Sequence, residues 1–159
     1  MNCTTLYNPL INSSPTTAMN WYGARTAVLS SSNSQYQELA RDFFEKYASS
    51  NTLGIHAISH YYNNDTLISF HIHQNGVNYL YEIIGHNNFK NKLAEIGILY
   101  IKYHSITHTA QPVGKKCVMI TFYGQAELAG KNFQVESTIL FRIVSGSPRI
   151  INQILNIFL

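Results

Sequence analysis

The stretch Cys117-Val118-Met119-Ile120-Thr121-Phe122-Tyr123, read beside Ile139-Leu140-Phe141-Arg142-Ile143-Val144, decides the architecture. Both segments have the β-branched and aromatic content of strands, and both stay apolar at odd and even positions alike. A strand in an antiparallel sheet with one wet face alternates apolar and polar residues. These two do not alternate, so both faces of their sheet are expected to be covered. Working outward, Pro112-Val113-Gly114, Gly130-Lys131-Asn132 and Ser145-Gly146-Ser147-Pro148 carry turn chemistry. They delimit four strands, roughly 97–109, 116–128, 133–145 and 149–158. Consecutive strands joined by short turns predict an antiparallel meander.

Upstream, Tyr36, Leu39, Ala40, Phe43, Phe44 and Tyr47 recur at helical spacing, with Ser32 or Ser34 as N-cap and Ser49-Ser50-Asn51 as breaker. Ile55, Ile58, Tyr61 and Tyr62 predict a short second helix, closed by the turn Asn63-Asn64-Asp65. Thr66–His73 reads as a strand, Gln74-Asn75-Gly76 as a hairpin turn, and Val77–Ile84 as the returning strand. Phe89, Leu93 and Ile96 space a third helix after Gly85. The order is α-α-β-β-α-β-β-β-β, an α+β fold. Three helices suffice for one face of the sheet only, so a partner sheet is expected on the other. Residues 1–34, rich in Ser, Thr and Asn with Pro9 and Pro15, read as a flexible N-terminal extension, with 35–159 as the folded domain. Trp21-Tyr22 within it reads as loosely packed aromatics or a short docking motif.

Composition narrows the function. Charged residues make up 12% of the 159, against about 25% in typical soluble domains. A surface so poor in charge is expected to be partly covered by a protein partner. The net charge of +3 is scattered; Lys115-Lys116 is the one adjacent basic pair and reads as a solvated turn. No basic stripe with interleaved aromatics points to nucleic acid. No stretch is apolar and long enough to cross a bilayer as a helix. Cys3 and Cys117 make neither a disulfide framework nor a zinc spacing, which fits a reduced intracellular compartment. Asn-Cys-Thr at 2–4 and Asn-Ser-Ser at 12–14 match glycosylation acceptors, a motif common by chance.

Two histidine pairs, His56/His60 on the second helix and His71/His73 on one strand face, lack a third ligand. Asp65, Glu82 and Glu136 have no sequence-evident partner group for acid–base chemistry. Phosphate loops and nucleophile elbows are absent. Neither a cofactor nor an enzymatic activity is expected.

Taken together, the order of elements and a collinear set of residues over 36–159 resemble the nuclear transport factor 2 (NTF2) family. Tyr36 stands where the family has an aromatic before the first helix. Phe43, Tyr47, Ile58, Tyr62 and Phe70 follow its helix-helix-strand opening, and Gly85 with Leu93 its third helix. His104-Ser105-Ile106-Thr107, Gln111-Pro112, Cys117-Val118, Gly124-Gln125 and Phe141 continue the set, which ends on Ile151-Asn152 and Phe158-Leu159. The resemblance implies an NTF2-like cone, a strongly curved antiparallel sheet wrapped around three helices, whose members dimerise through the open sheet face. Tyr100, Lys102, Met119, Thr121, Phe122, Ile139 and Phe141 are the interface residues it implies. Tyr36 and Phe43 are implied to contact Phe-Gly repeats of nucleoporins.

The departures from the family separate its branches. Carriers of GDP-bound Ran resemble one another in acidic residues after Gly-Gln and a Trp-Glu pair on the first strand. Here Ala129 and Lys131 replace the former, and Phe70-His71 the latter. Lysine in place of a carboxylate turns attraction for a basic partner into repulsion, so Ran binding is not expected. Gly130-Lys131-Asn132 looks closer to the p15/NXT branch, which pairs with an NXF/Mex67-type mRNA export receptor. Gln153-Ile154-Leu155 departs from the Asp usual there. The resemblance thus implies an adaptor of nucleus, cytoplasm and nuclear pore, with no direct contact to nucleic acid or membrane. A homodimeric Ran-GDP carrier and a small cavity enzyme of the same fold, an isomerase or hydrolase, are the alternatives.

Overall fold

A computed structural model describes residues 31–159, with side chains described from residue 35. The expectations for 1–30, Trp21-Tyr22 and Cys3 among them, lie outside the described residues. The architecture lies in the compact unit Tyr36–Leu159.

Helix α1 spans Ser31–Leu53. It buries Ala40, Phe43, Phe44 and Tyr47, one stripe at spacings of three and four. Two expectations fail here. The helix starts before Ser32 and Ser34, so neither caps it. It also runs through Ser49-Ser50-Asn51. The Ser49 hydroxyl donates to the Glu45 carbonyl, Asn51 Nδ2 to the Tyr47 carbonyl and the Thr52 hydroxyl to the Ala48 carbonyl. Side chains that would compete for the backbone fold back onto the preceding turn instead. The second helix is a 3₁₀ segment, Ile55–Tyr61, burying Ile55, Ile58 and Tyr61. A three-residue period puts Ile55, Ile58 and Tyr61 on one side.

The strands are β1 (Tyr62–Gln74), β2 (Val77–Ile84), β3 (Lys102–Val113), β4 (Cys117–Leu128), β5 (Lys131–Val144) and β6 (Ser147–Phe158), with α2 (His86–Glu95) between β2 and β3. They form one sheet in the order β2-β1-β6-β5-β4-β3. Every pairing is antiparallel except β1 with β6, which is parallel. Strand β3 begins later than the expected 97, because residues 97–101 close α2. Gly97 N–H donates to the Ala94 carbonyl and Ile98 N–H to the Leu93 carbonyl, and Gly97 has φ +83°, a left-handed helix end. Ile98 and Ile101 then plug into the core.

Three turns share one geometry. Asn75-Gly76, Ala129-Gly130 and Ser145-Gly146 each have φ near +50° followed by φ near +77°, and each lies between a directly paired couple, Gln74/Val77, Leu128/Lys131 and Val144/Ser147. Two left-handed residues in a two-residue loop match the twist of the strands they join. Strand β3 carries an irregularity between Tyr103 and Ile106, next to the pair Ile106/Gly124. A Cβ on Gly124 would stand 1.9 Å from the Ser105 carbonyl oxygen. The missing side chain lets the bulged strand close in, and a bulge bends a sheet.

The helices pack on the inner face. Phe43 stacks on Phe141 with ring centroids 4.3 Å apart, and Phe44 meets Phe122 at 4.8 Å. Ile68, Phe70, Ile72, Val118, Ile120, Val135, Ile139, Leu155 and Ile157 complete this core from the four neighbouring strands β1, β6, β5 and β4.

Candidate functional site

Burial fixes which way each strand residue points, because side chains alternate between faces. On β4, Val118, Ile120 and Phe122 are buried inward, so Met119, Thr121 and Tyr123 point outward. On β5, Val135, Ser137, Ile139 and Phe141 are inward, and Glu136, Thr138 and Leu140 outward. The expected interface set therefore divides. Met119, Thr121 and Lys102 stand on the outward face, and the Tyr100 hydroxyl donates to outward-facing Glu127 at 2.8 Å. That bond raises the Tyr100 phenol above its ordinary pKa. Phe122, Ile139 and Phe141 do not belong to the set. All three are 0% exposed, packed under the helices of their own chain, and no partner can reach them.

The outward face has a pattern the sequence did not reveal. Cross-strand register aligns Ser69, Ile154, Thr138, Thr121 and Thr109 in one row, and Leu67, Asn152, Leu140, Met119 and Gln111 in the next. From β1 to β3 neither row carries a charge. The Thr121 and Thr138 hydroxyls bond each other at 3.1 Å, and Leu67 and Ile154 are exposed apolar side chains. Charge sits at the β2 end of the first row, where Glu82 pairs with Ser69, and off the rows at Glu136 and Arg142. His71 and His73 also face outward, their rings 6.1 Å apart, with His73 stacked on Phe158. Among the described residues no group of three or more His, Cys, Asp or Glu is placed to hold a metal.

The expected partner loop forms the rim of a cavity. Ala129 and Lys131 stand over a space of about 600 Å³ whose walls include Ile72, Leu128, Phe133, Ile157, Tyr79 and Tyr81. None of the described residues lining it is acidic. Phe70 is not part of this rim. It is 0% exposed and packs on Tyr81 and Phe89 inside the core, while its neighbour His71 points to the other face.

The residues expected to meet Phe-Gly peptides also separate. Phe43 lies on the floor of a groove of about 420 Å³ between α1 and the β5–β6 hairpin, with Leu39 and Tyr61 facing Ile143 and Pro148. Tyr36 packs against the core and does not line that groove.

Sequence reading missed the polar set inside the domain. The Tyr62 hydroxyl donates to Gln153 Oε1 at 2.6 Å, so the 3.1 Å contact between Tyr47 and Tyr62 is Tyr47 donating. Gln153 Nε2 donates back to the Tyr47 oxygen and to Ser137, whose hydroxyl donates to the Ile154 carbonyl. Burial pushes the Tyr62 phenol well above its ordinary pKa, with the adjacent Tyr47 hydroxyl adding to it. Tyr103 is raised in the same way, first by burial and then by the nearby Tyr47 hydroxyl, though the two hydroxyls do not reach hydrogen-bonding geometry. Gln153, which departs from the Asp usual in the family, is 0% exposed and belongs to this interior ring. Asp65, Glu82 and Glu136 are all exposed, so none of them supplies this set with a carboxylate.

A curved sheet against three helices, in this strand order, is the NTF2-like fold, and the comparisons with known proteins agree. The chain aligns with nuclear transport factor 2 from Cryptosporidium parvum at a TM-score of 0.63, over 77% of this chain and 94% of that one, with 13% identity. It aligns with the C. albicans Mtr2-Mex67 M domain complex at 0.62, over 77% and 94%, again with 13% identity. A scytalone dehydratase-like protein of Novosphingobium aromaticivorans aligns at 0.60, over 80% and 87%, with 12% identity. In sequence, the chain is 25% identical over 122 residues to an uncharacterised protein, L295, of Acanthamoeba polyphaga mimivirus, covering 74% of this chain. It spans 61% of that relative's length. No family model matches the sequence. Likeness at this identity defines the fold, which transport factors and enzyme-like proteins share, and leaves the role to the site.

Proposed function

We propose that this chain is a non-enzymatic adaptor of nucleocytoplasmic transport, pairing through its outward sheet face with a second NTF2-like domain of NXF/Mex67 type. In this reading it works between nucleus and cytoplasm and contacts Phe-Gly nucleoporins at the pore. The observation that carries the pairing is the two uncharged rows from Leu67 and Ser69 to Gln111 and Thr109. Interface cores are depleted of charge relative to the rest of a surface, and this face offers threonine, leucine and methionine where an unpaired sheet would carry lysine and glutamate. The rim at Ala129 and Lys131 favours the export-type partner over Ran, since a basic partner would meet a lysine there. The groove over Phe43 is a place for an aromatic side chain of a Phe-Gly peptide.

The test is co-purification with separate candidates. The expected result is a stable complex with an NXF/Mex67-type NTF2-like domain and none with GDP-bound Ran. Tight capture of GDP-bound Ran without the NXF-type domain overturns the reading in favour of a Ran carrier.

A further inference from the structure

The two most exposed large apolar side chains among the described residues are Leu53, 76% exposed, and Leu99, 66% exposed. They are near neighbours. Leu53 ends α1, and Leu99 belongs to the segment between α2 and β3. The backbone beneath them is fixed: Ile55 N–H donates to the Leu99 carbonyl, while Gly54 and Ile101 N–H both donate to the Asn51 carbonyl. Gly54 has φ +129°, and a Cβ on it would stand 2.7 Å from the His56 ring. Only glycine lets the chain turn this tightly under Leu99. Between the two leucines lies a groove of about 470 Å³, floored by Ile55 and Ile98 and walled by Ala94 of α2. Lys90 and His56 stand on its rim, and none of the described residues lining it is acidic.

Leucines left this exposed on a rigid platform are unlike singly scattered surface apolar residues, which need no explanation. They sit where α1 ends and where the chain leaves α2, off the uncharged rows of the outward sheet face. We infer that this groove is a second protein-docking surface, and that its occupant is an acidic amphipathic peptide segment of a partner. Two apolar side chains of the segment would pack against Leu53 and Leu99, with a carboxylate over Lys90. The charge argues for that occupant. A symmetric contact with a second copy would set Lys90 against itself, whereas a carboxylate meets the Lys90 ammonium there and no acidic side chain among the described lining residues. The open form argues for a peptide, since rim leucines projecting from the surface are covered only by something longer than the groove. An amphipathic helix laid in an apolar groove is a recurring mode of this kind.

The test uses the full chain and a fluorescein-labelled helical peptide of about four turns, with leucines spaced three and four apart and glutamate between them. A second peptide carries lysine for every glutamate. Fluorescence anisotropy should give saturable binding of the acidic peptide, at least about tenfold tighter than the basic one. Leu99→Asp and Lys90→Glu should each weaken it at least about tenfold; both side chains lie on the rim, so an unchanged melting profile serves as the folding control. Thr121→Arg, on the sheet face, should leave it unchanged. Absence of saturable binding, equal affinity for the two peptides, or wild-type affinity in Leu99→Asp overturns the inference. So does loss of binding in Thr121→Arg, which places the peptide on the sheet. A fall in the chain's own mass in Leu99→Asp overturns it as well, because the groove then seats a second copy. None of these outcomes touches the pairing with an NXF-type domain, which is measured separately.

Discussion

Tyr62 and Tyr103 are both buried tyrosines pointing into the same interior, and they should respond oppositely to loss of the hydroxyl. The Tyr62 oxygen accepts from Tyr47 and donates to Gln153. Tyr62→Phe leaves a tyrosine donor and an amide acceptor without partners, at a cost of about 1–3 kcal/mol. The Tyr103 hydroxyl lies near that of Tyr47 but closes no hydrogen bond with it, so Tyr103→Phe removes a desolvated polar atom without breaking a bond and should be neutral or stabilising. Urea unfolding of the two variants measures both. A Tyr103→Phe variant as destabilised as Tyr62→Phe would show that the network extends to Tyr103. The ring was illegible in the sequence for a physical reason. Tyr47, Tyr62 and Gln153 are separated by up to 106 positions, and an apolar helix stripe gives no sign that one member carries a bonded hydroxyl.

At the level of the strand, the elements were readable and their faces were not. Turn residues and β-branched content located β4 and β5 to within two residues of their observed starts and ends. The faces failed because Thr121 and Met119 are as compatible with a core as with a partner interface, so alternation carried too little contrast to orient Phe122. Observed burial orients it, and that produces a paired prediction. Thr121→Arg and Met119→Arg place a charge in the uncharged rows without entering the core, so each should stay folded and lose the partner. Phe122 is inward, and Phe122→Ala should cost about 3–5 kcal/mol through the cavity it opens. Light scattering of the complex with denaturant unfolding separates the two effects. Thr121→Arg and Met119→Arg variants that both keep the mass of the complex would remove the sheet face as the interface. The hairpins were legible in part. Asn75-Gly76 was located, whereas the left-handed Ala129 was not, because alanine is a poor residue for that geometry.

For the molecule as a whole, the fold followed from element order, while the partner surfaces depended on register that no sequence pattern supplies. One whole-domain property does follow from the structure. His86 and His108 lie in different parts of the domain, and both have their pKa lowered below the ordinary value, in each case chiefly by burial. Against that, the ring of His86 donates from Nε2 to the Ile55 carbonyl at 3.1 Å, which partly restores it, while Lys90 lowers it further. It also faces Tyr62, with ring centroids 5.0 Å apart. His108 stacks on Phe44, with Glu45 raising its pKa and Arg41 lowering it. A histidine held neutral in the fold binds fewer protons there than in the unfolded chain. Its contribution is therefore present above the unfolded pKa of about 6.5 and is lost as pH falls through that value to the folded one. The two histidines act with the same sign, so the free energy of unfolding should decline as pH is lowered from about 7.5 to 5. In His86→Gln the amide can still donate to the Ile55 carbonyl but cannot take up a proton. That variant, and more so the double variant with His108→Gln, should show a shallower decline by urea unfolding at a series of pH values. An unchanged slope in the double variant would mean that other groups set the acid response.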